Sequence, residues 1–187
     1  MRDGERYRKL CRRWNAPGHA HALTFSCYRQ TPLLLEARFC GYLIDAIEAA
    51  RSRHAFDLWA YVFMPEHVHL VLCPKRDDYS IARILQSIKQ PVARKAIALL
   101  REHRPHDLEL LATGQRTRPY QFWQKGGGYD RNLTNVETLI KTVRYIHRNP
   151  VRRGLVETAE QWLHSSAAQW EGIRAGPIVV DRGSFPV

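Results

Sequence analysis

Hydrophobic and polar positions change their period along the chain, and those changes divide it into elements. Residues 57–73, DLWAYVFMPEHVHLVLC, hold two apolar runs on either side of Met64-Pro65-Glu66. Both runs are rich in aromatic and β-branched residues, which predicts an antiparallel hairpin with strands at 57–64 and 67–73. Strand side chains alternate faces, so Val68, Leu70 and Leu72 point one way, and His67 and His69 the other. The stretch from His19 to Arg29 alternates in part and predicts a first strand, with Pro32 opening the next connection. From Glu36 to His54 the apolar residues Phe39, Leu43, Ala46, Ile47 and Ala50 recur at helical spacing. A second helix is predicted from Ser80 to about His103, on the stripe Ile81, Ile84, Leu85 and Ile88, with Pro91 expected to kink or split it.

Beyond that helix, residues 104–119 show little period and read as a loop or insertion. Residues 120–124 predict a short strand, and Lys125 to Gly128 a flexible glycine run. Thr134 or Asn135 suits the cap of a last long helix, with Glu137 in its first turn. Val136, Leu139, Ile140, Val143 and Ile146 form its stripe, and Asn149-Pro150 ends it near Arg148. The order β-α-β-β-α-β-α matches the split βαβ plan. It predicts a ferredoxin-like α+β fold: an antiparallel sheet with helices on one face, and a C-terminal helix carrying Tyr145. Leu70 would face the helices, and His67 and His69 the opposite side. The expected organisation is a basic arm at 1–17, one domain at 18–166 and a tail at 167–187.

Charge narrows the partners. The 187 residues carry a formal net charge of +11. So strong an excess points to a polyanion, with nucleic acid the first candidate and anionic membrane the rival. The arm interleaves Tyr7 and Trp14 with basic residues, Arg12 and Arg13 among them, a composition suited to phosphate contact and base stacking; a solvated tail reads equally well. No apolar stretch is long enough to cross a membrane, and the charged start lacks the apolar core of a signal peptide. Cys11, Cys27, Cys40 and Cys73 show no CxxC spacing, so zinc ribbons and disulfide frameworks are not expected. A cytoplasmic, nucleoid-associated protein with reduced thiols is the expectation.

Two histidines on one strand face are half of a metal site, because neutral imidazoles bind divalent ions and a strand fixes their aim. Spacing alone does not decide the matter in a chain with nine histidines. A second His-x-His pair, His19 and His21, occurs, and partnered histidines at a sheet edge would look the same. On the last long helix Tyr145 and Asn149 are four apart and share a face. An ion on His67 and His69 needs an oxygen ligand, which Asn149 could supply. Such an ion would polarise a phosphate for attack by Tyr145, with arginines holding flanking phosphates. Alternatively, Tyr145 is a core aromatic at helical spacing.

Three stretches in this order, YVFMPEHVHLVL (61–72), FWQKGGGYDRNL (122–133) and YIHRNPVRRGLV (145–156), resemble the REP-associated tyrosine transposases, a group of single-tyrosine HUH transposase-like proteins. The resemblance covers about residues 18–166. It implies the ferredoxin-like fold, single-stranded DNA with a palindromic repeat hairpin as partner, and Mg²⁺ or Mn²⁺ as cofactor. It also implies metal-dependent endonuclease and strand-transfer activity through a 5′-phosphotyrosine intermediate. Carried over by motif, His67, His69 and Asn149 are the metal ligands and Tyr145 the nucleophile. Candidates for DNA contact are Arg12, Arg13, Lys125, Arg144, Arg148, Arg152 and Arg153. The chain departs from the group at Glu66, where asparagine is common. Tyr129, in the glycine-rich stretch, is the rival tyrosine. A non-cleaving descendant that grips structured nucleic acid, a phosphodiesterase that uses water, and a monomer or homodimer all remain open.

Overall fold

The structure is a computed structural model that describes residues 14–126 and 128–186. Four strands form one antiparallel sheet: β1 (Ala20–Ser26), β2 (Phe56–Phe63), β3 (His67–Pro74) and, for reasons given below, β6 (Tyr129–Leu133). Their spatial order is β2-β3-β1-β6, the order of the split βαβ plan. Helix α1 (Ala37–His54) crosses from β1 to β2, and α2 (Ile81–His103) leads away from β3. Both pack on one face, where Leu23, Phe25, Val68, Leu70 and Leu72 meet Leu43, Ile47, Ile84 and Ile88 in one buried cluster. Helix α2 stays continuous through Pro91; one missing backbone donor is tolerated where neighbouring turns are packed.

The other face is covered as well. Helix α4 (Val136–His147) lays Leu139, Val143 and Ile146 on Ala20, Ala22, Val62 and Val71. Each such buried aliphatic contributes roughly 1.5–3 kcal/mol. Asn135, one of the two caps the sequence offered, caps α4 by accepting from the Thr138 amide at 3.1 Å. The alternation of β3 also holds: Val68, Leu70 and Leu72 face α1 and α2, and His67 and His69 face the α4 side.

Three expectations need correction. The fourth strand is not 120–124 but Tyr129–Leu133, paired with β1 from Thr24↔Tyr129 to Ala20↔Leu133. Residues 122–124 run beside the end of β1, with a single bridge from Cys27 to Trp123. Aromatic content suggested a strand there, but Phe122 and Trp123 serve as core side chains instead. Residues 104–119 are not structureless. They hold α3 (Pro105–Leu108) and, with Tyr120, a hairpin of β4 (Ala112–Gln115) and β5 (Arg118–Tyr120). Finally, residues 167–186 do not trail away: Ile178, Val180 and Phe185 are buried. The chain here protects the exposed edge of β2. The Phe63 amide donates to His164 O, the Ser166 amide to Tyr61 O, and the Asp181 amide to Leu58 O, which satisfies a strand edge that would otherwise invite pairing.

Candidate functional site

The two strand histidines face each other through their outer nitrogens. His67 Nε2 and His69 Nε2 stand 3.0 Å apart. Each inner nitrogen has its own partner: Glu66 Oε1 lies 2.9 Å from His67 Nδ1, and Thr24 Oγ1 lies 2.8 Å from His69 Nδ1. Glu66 accepts, so the hydrogen of His67 sits on Nδ1 and the lone pair on Nε2 points inward. Thr24 comes from the neighbouring strand, directly across from His69, and its hydroxyl suits either tautomer because it can donate or accept. Burial, and then the neighbouring His67, push the His69 imidazole down to about 4 against the opposing pull of Glu66. His69 is therefore neutral at physiological pH, the form that binds metal.

Glu66 is held in turn. Arg153, at the C-terminal end of the short helix α5 (Asn149–Arg152), pairs with Oε1. Burial pushes the Glu66 carboxyl up, but hydrogen bonds from Arg153 and His67 outweigh it, and the group titrates below its ordinary value. Glu66 is thus neither a solvent-facing acid nor a bystander. It orients His67, and Arg153 orients Glu66.

The histidine pair fits a divalent ion. Two ligands held about 2.1 Å from one ion and at right angles stand roughly 3.0 Å apart, which is the separation found. Among the described residues no group of three His, Cys, Asp or Glu side chains could hold an ion, so no third ligand of those kinds completes the histidine pair. Asn149 is the polar residue the sequence singles out. It is only 9% exposed, and its amide nitrogen is buried without a hydrogen-bond partner. A half-turn of that amide about its own axis would exchange the orphaned nitrogen for the carbonyl oxygen a hard cation takes.

Tyr145 stands in the open, in a cleft it shares with His69. It is 52% exposed and lines a cleft of about 650 Å³ together with His69, Thr24 and Tyr129. The cleft floor is a row across three strands, His69, Thr24 and Tyr129, set by the pairings Thr24↔His69 and Thr24↔Tyr129. Its wall is α4, whose Thr138, Lys141, Thr142 and Tyr145 recur at three- and four-residue steps and share one face. The Arg152 guanidinium lies 5.1 Å from the Tyr145 ring centroid. Tyr145 is therefore not a core aromatic. Tyr129 is on a strand rather than in a loop, and its 53% exposure matches that of Tyr145.

The remaining sequence candidates divide. Arg144, Arg148 and Arg152 are exposed near the cleft wall, while Arg153 is committed to Glu66. Lys125 lies outside the cleft, in a groove beside α2. Arg12 and Arg13 lie outside the described residues. His147, two positions past Tyr145 and off its face, is buried against Trp170 and Ser166. Sequence reading missed Thr24, Arg131 and Lys141, which line the cleft. Lys141 was within reach, four residues before Tyr145 on the same helix. Thr24 and Arg131 become visible only once the strand register is known.

Comparison with known proteins follows the same lines. No family model matches the chain. A curated protein of Haemophilus influenzae, provisionally named a REP-associated tyrosine transposase, is 28% identical over 142 residues, spanning 72% of this chain and 76% of that protein. A solved structure of a REP-associated tyrosine transposase bound to a REP hairpin superposes with a TM-score of 0.69 at 20% identity, covering 96% of this chain and 98% of that one. In sequence and in fold, the protein is similar to REP-associated tyrosine transposases.

Proposed function

We propose that the protein is a metal-dependent single-stranded DNA endonuclease and strand transferase that acts at repeat hairpins through Tyr145. One observation carries this reading: exposed Tyr145 shares a cleft with His69, whose outer nitrogen meets that of His67. In the reaction the Tyr145 oxygen attacks phosphorus and forms a Tyr–O–P bond. The P–O3′ bond breaks, its electron pair stays on the 3′ oxygen, and the phenol proton is balanced by protonation of that oxygen. The products are a 5′-phosphotyrosine and a free 3′-hydroxyl, and reversal on another 3′-hydroxyl rejoins the strand.

His67, His69 and Asn149 would hold Mg²⁺ or Mn²⁺, which when bound supplies charge to stabilise the phosphate oxygens. Lys141 and Arg131 in the cleft, and Arg144 and Arg148 beside it, are the cations for flanking phosphates. The hairpin partner is supported by the hairpin bound to the structural relative and by the net charge of +11. Tyr129 sustains a second reading, because it lines the same cleft with equal exposure and could be the nucleophile.

A denaturing gel with labelled hairpin DNA decides between them. The expected result is a Mn²⁺-dependent covalent protein–DNA band in wild type and Tyr129→Phe, absent in Tyr145→Phe and with EDTA. A band kept by Tyr145→Phe and lost by Tyr129→Phe would transfer the role. Cleavage with no covalent band would assign the attack to water, and firm binding without any cleavage would leave a protein that only grips the hairpin.

A further inference from the structure

The row of residues that floors the cleft extends beyond it. Val62 on β2 lies directly across from His69, on the side away from Thr24. On its other side Val62 is bridged by Ser165. One line therefore crosses the sheet through Ser165, Val62, His69, Thr24 and Tyr129, and it starts in the C-terminal segment that covers the β2 edge. The next residue of that segment, Ser166, is fully buried. It holds Tyr61, the neighbour of Val62, in two ways. The Ser166 amide donates to Tyr61 O at 3.0 Å, and the Tyr61 amide donates to Ser166 Oγ at 3.0 Å. The same Oγ stands 2.8 Å from His147 Nε2. Helix α4, which carries Tyr145, is thus joined by a buried hydrogen bond to the strand position next to the one that faces His69.

That bond is placed to set how α4 is turned. His147 comes two residues after Tyr145, which is about 200° around a helix, and two residues before Asn149. Tyr145 is accordingly exposed and His147 buried. Elsewhere α4 meets the sheet through Leu139, Val143 and Ile146 on Ala20, Ala22, Val62 and Val71. Apolar burial is non-directional, so it resists lifting the helix more than turning it. A hydrogen bond weakens steeply once its angle is lost, so it resists the turn. The His147 ring also packs edge-on to Trp170, with centroids 6.1 Å apart, and Trp170 Nε1 donates to Trp59 O at 2.9 Å. Ser166 and Trp170, the two groups that meet His147, are therefore each fixed to β2.

We infer that His147 and Ser166 are positioning residues for the proposed reaction: their hydrogen bond fixes the turn of α4 and so holds Tyr145 in register with the row that contains His69. The inference rests on Tyr145 being the nucleophile. Single-turnover adduct formation at saturating hairpin DNA and Mn²⁺ tests it, with hairpin affinity by anisotropy and urea midpoints measured alongside. His147→Leu fills the site without the hydrogen bond. It should form adduct roughly ten- to hundredfold more slowly, the order expected for a misplacement of about 1 Å, with hairpin affinity unchanged. His147→Gln, whose amide can still reach Ser166 Oγ, should keep a rate near that of wild type. Ser166→Ala strands His147 Nε2 without a partner, and adding His147→Leu removes the stranded nitrogen. The double variant should therefore unfold at a higher urea concentration than Ser166→Ala and yet remain as slow. A wild-type rate in His147→Leu overturns the inference, as does a rate that follows the urea midpoint from variant to variant. Wild type that forms no adduct overturns Tyr145 as the nucleophile, and the positioning role with it.

Discussion

The chain holds two His-x-His pairs, and the structure puts them to different use. His21 on β1 is fully buried, with both ring nitrogens engaged: Nδ1 with Asp130 Oδ1 at 2.9 Å and Nε2 with the Tyr79 hydroxyl at 2.8 Å. That hydroxyl also donates to Ala16 O at 2.8 Å. His19 accepts from Asn132 Nδ2 at 3.1 Å. At His67 and His69 only the inner nitrogens are taken, and the outer two are left to each other. Identical spacing thus gives a strut in one place and an open pair of ligands in the other. The difference lies in what neighbouring strands and helices offer the second nitrogen, Asp130 and Tyr79 for His21 against Thr24 and Glu66 for the pair.

Exchanging the alanine between the two pairs should give the largest effects and of opposite kinds. His69→Ala should lose Mn²⁺ binding by calorimetry and at least a hundredfold in covalent adduct, while unfolding near the wild-type urea midpoint. His21→Ala should do the reverse. It strips partners from buried Asp130 and Tyr79, costing about 3 kcal/mol of stability, while the folded fraction still binds Mn²⁺. Mn²⁺ affinity lost in His21→Ala at full folding would break the distinction.

A third histidine sharpens it through pH. His147 accepts no ion in this scheme; burial pushes it down to about 4. Above about pH 6.5 neither the folded nor the unfolded chain protonates it. Below that the unfolded chain takes the proton first, so stability falls as pH drops toward about 4 and this group contributes no further slope beneath. A shift of that size is worth about 3 kcal/mol. Buried His69 adds in the same direction in metal-free protein. Urea midpoints measured in EDTA should therefore drop across this window, and His147→Gln should flatten the drop. An unchanged slope in that variant would show that His147 does not set the acid limb.

Glu66→Gln probes the inner nitrogens. It keeps an acceptor for His67 Nδ1 but removes the charge that Arg153 holds. Partners that orient a metal-binding histidine typically account for 10–100-fold in affinity, and loss of charge alone should sit at the low end, about tenfold weaker Mn²⁺ binding by calorimetry. Binding equal to wild type would make the Glu66–Arg153 pair merely a tie between strand and helix.

Sequence pattern located the hairpin, the histidine face, and the α4 stripe because each depends on local periodicity within one run. It misplaced the fourth strand because Tyr129–Leu133 is short and carries Asp130, Arg131 and Asn132 in its middle, while the aromatic run before it resembles a strand and is core. It could not show the Glu66–Arg153 tie or the Thr24 contact, because both join residues far apart in the chain, 87 and 45 positions. Tyr145 was legible as a motif, but its exposure was not. A stripe at helical spacing states which residues share a face and leaves open whether that face meets the core or a cleft.

The smallest expected effect tests the contact nearest the nucleophile. Arg152 lies over the Tyr145 ring at 5.1 Å, and an exposed cation–π contact of this kind is worth about 0.5–1 kcal/mol. If its role is to hold the ring toward the histidine pair, Arg152→Gln should slow adduct formation about two- to fivefold at saturating DNA and leave DNA affinity and its salt slope intact. If Arg152 instead serves a phosphate, the rate at saturation should be unchanged, while affinity and salt slope both fall. Single-turnover rates measured across DNA concentrations separate the two. The same measurement on Tyr129→Phe asks which tyrosine Arg152 supports, because a ring held by Arg152 and one merely sharing the cleft should respond differently to its removal.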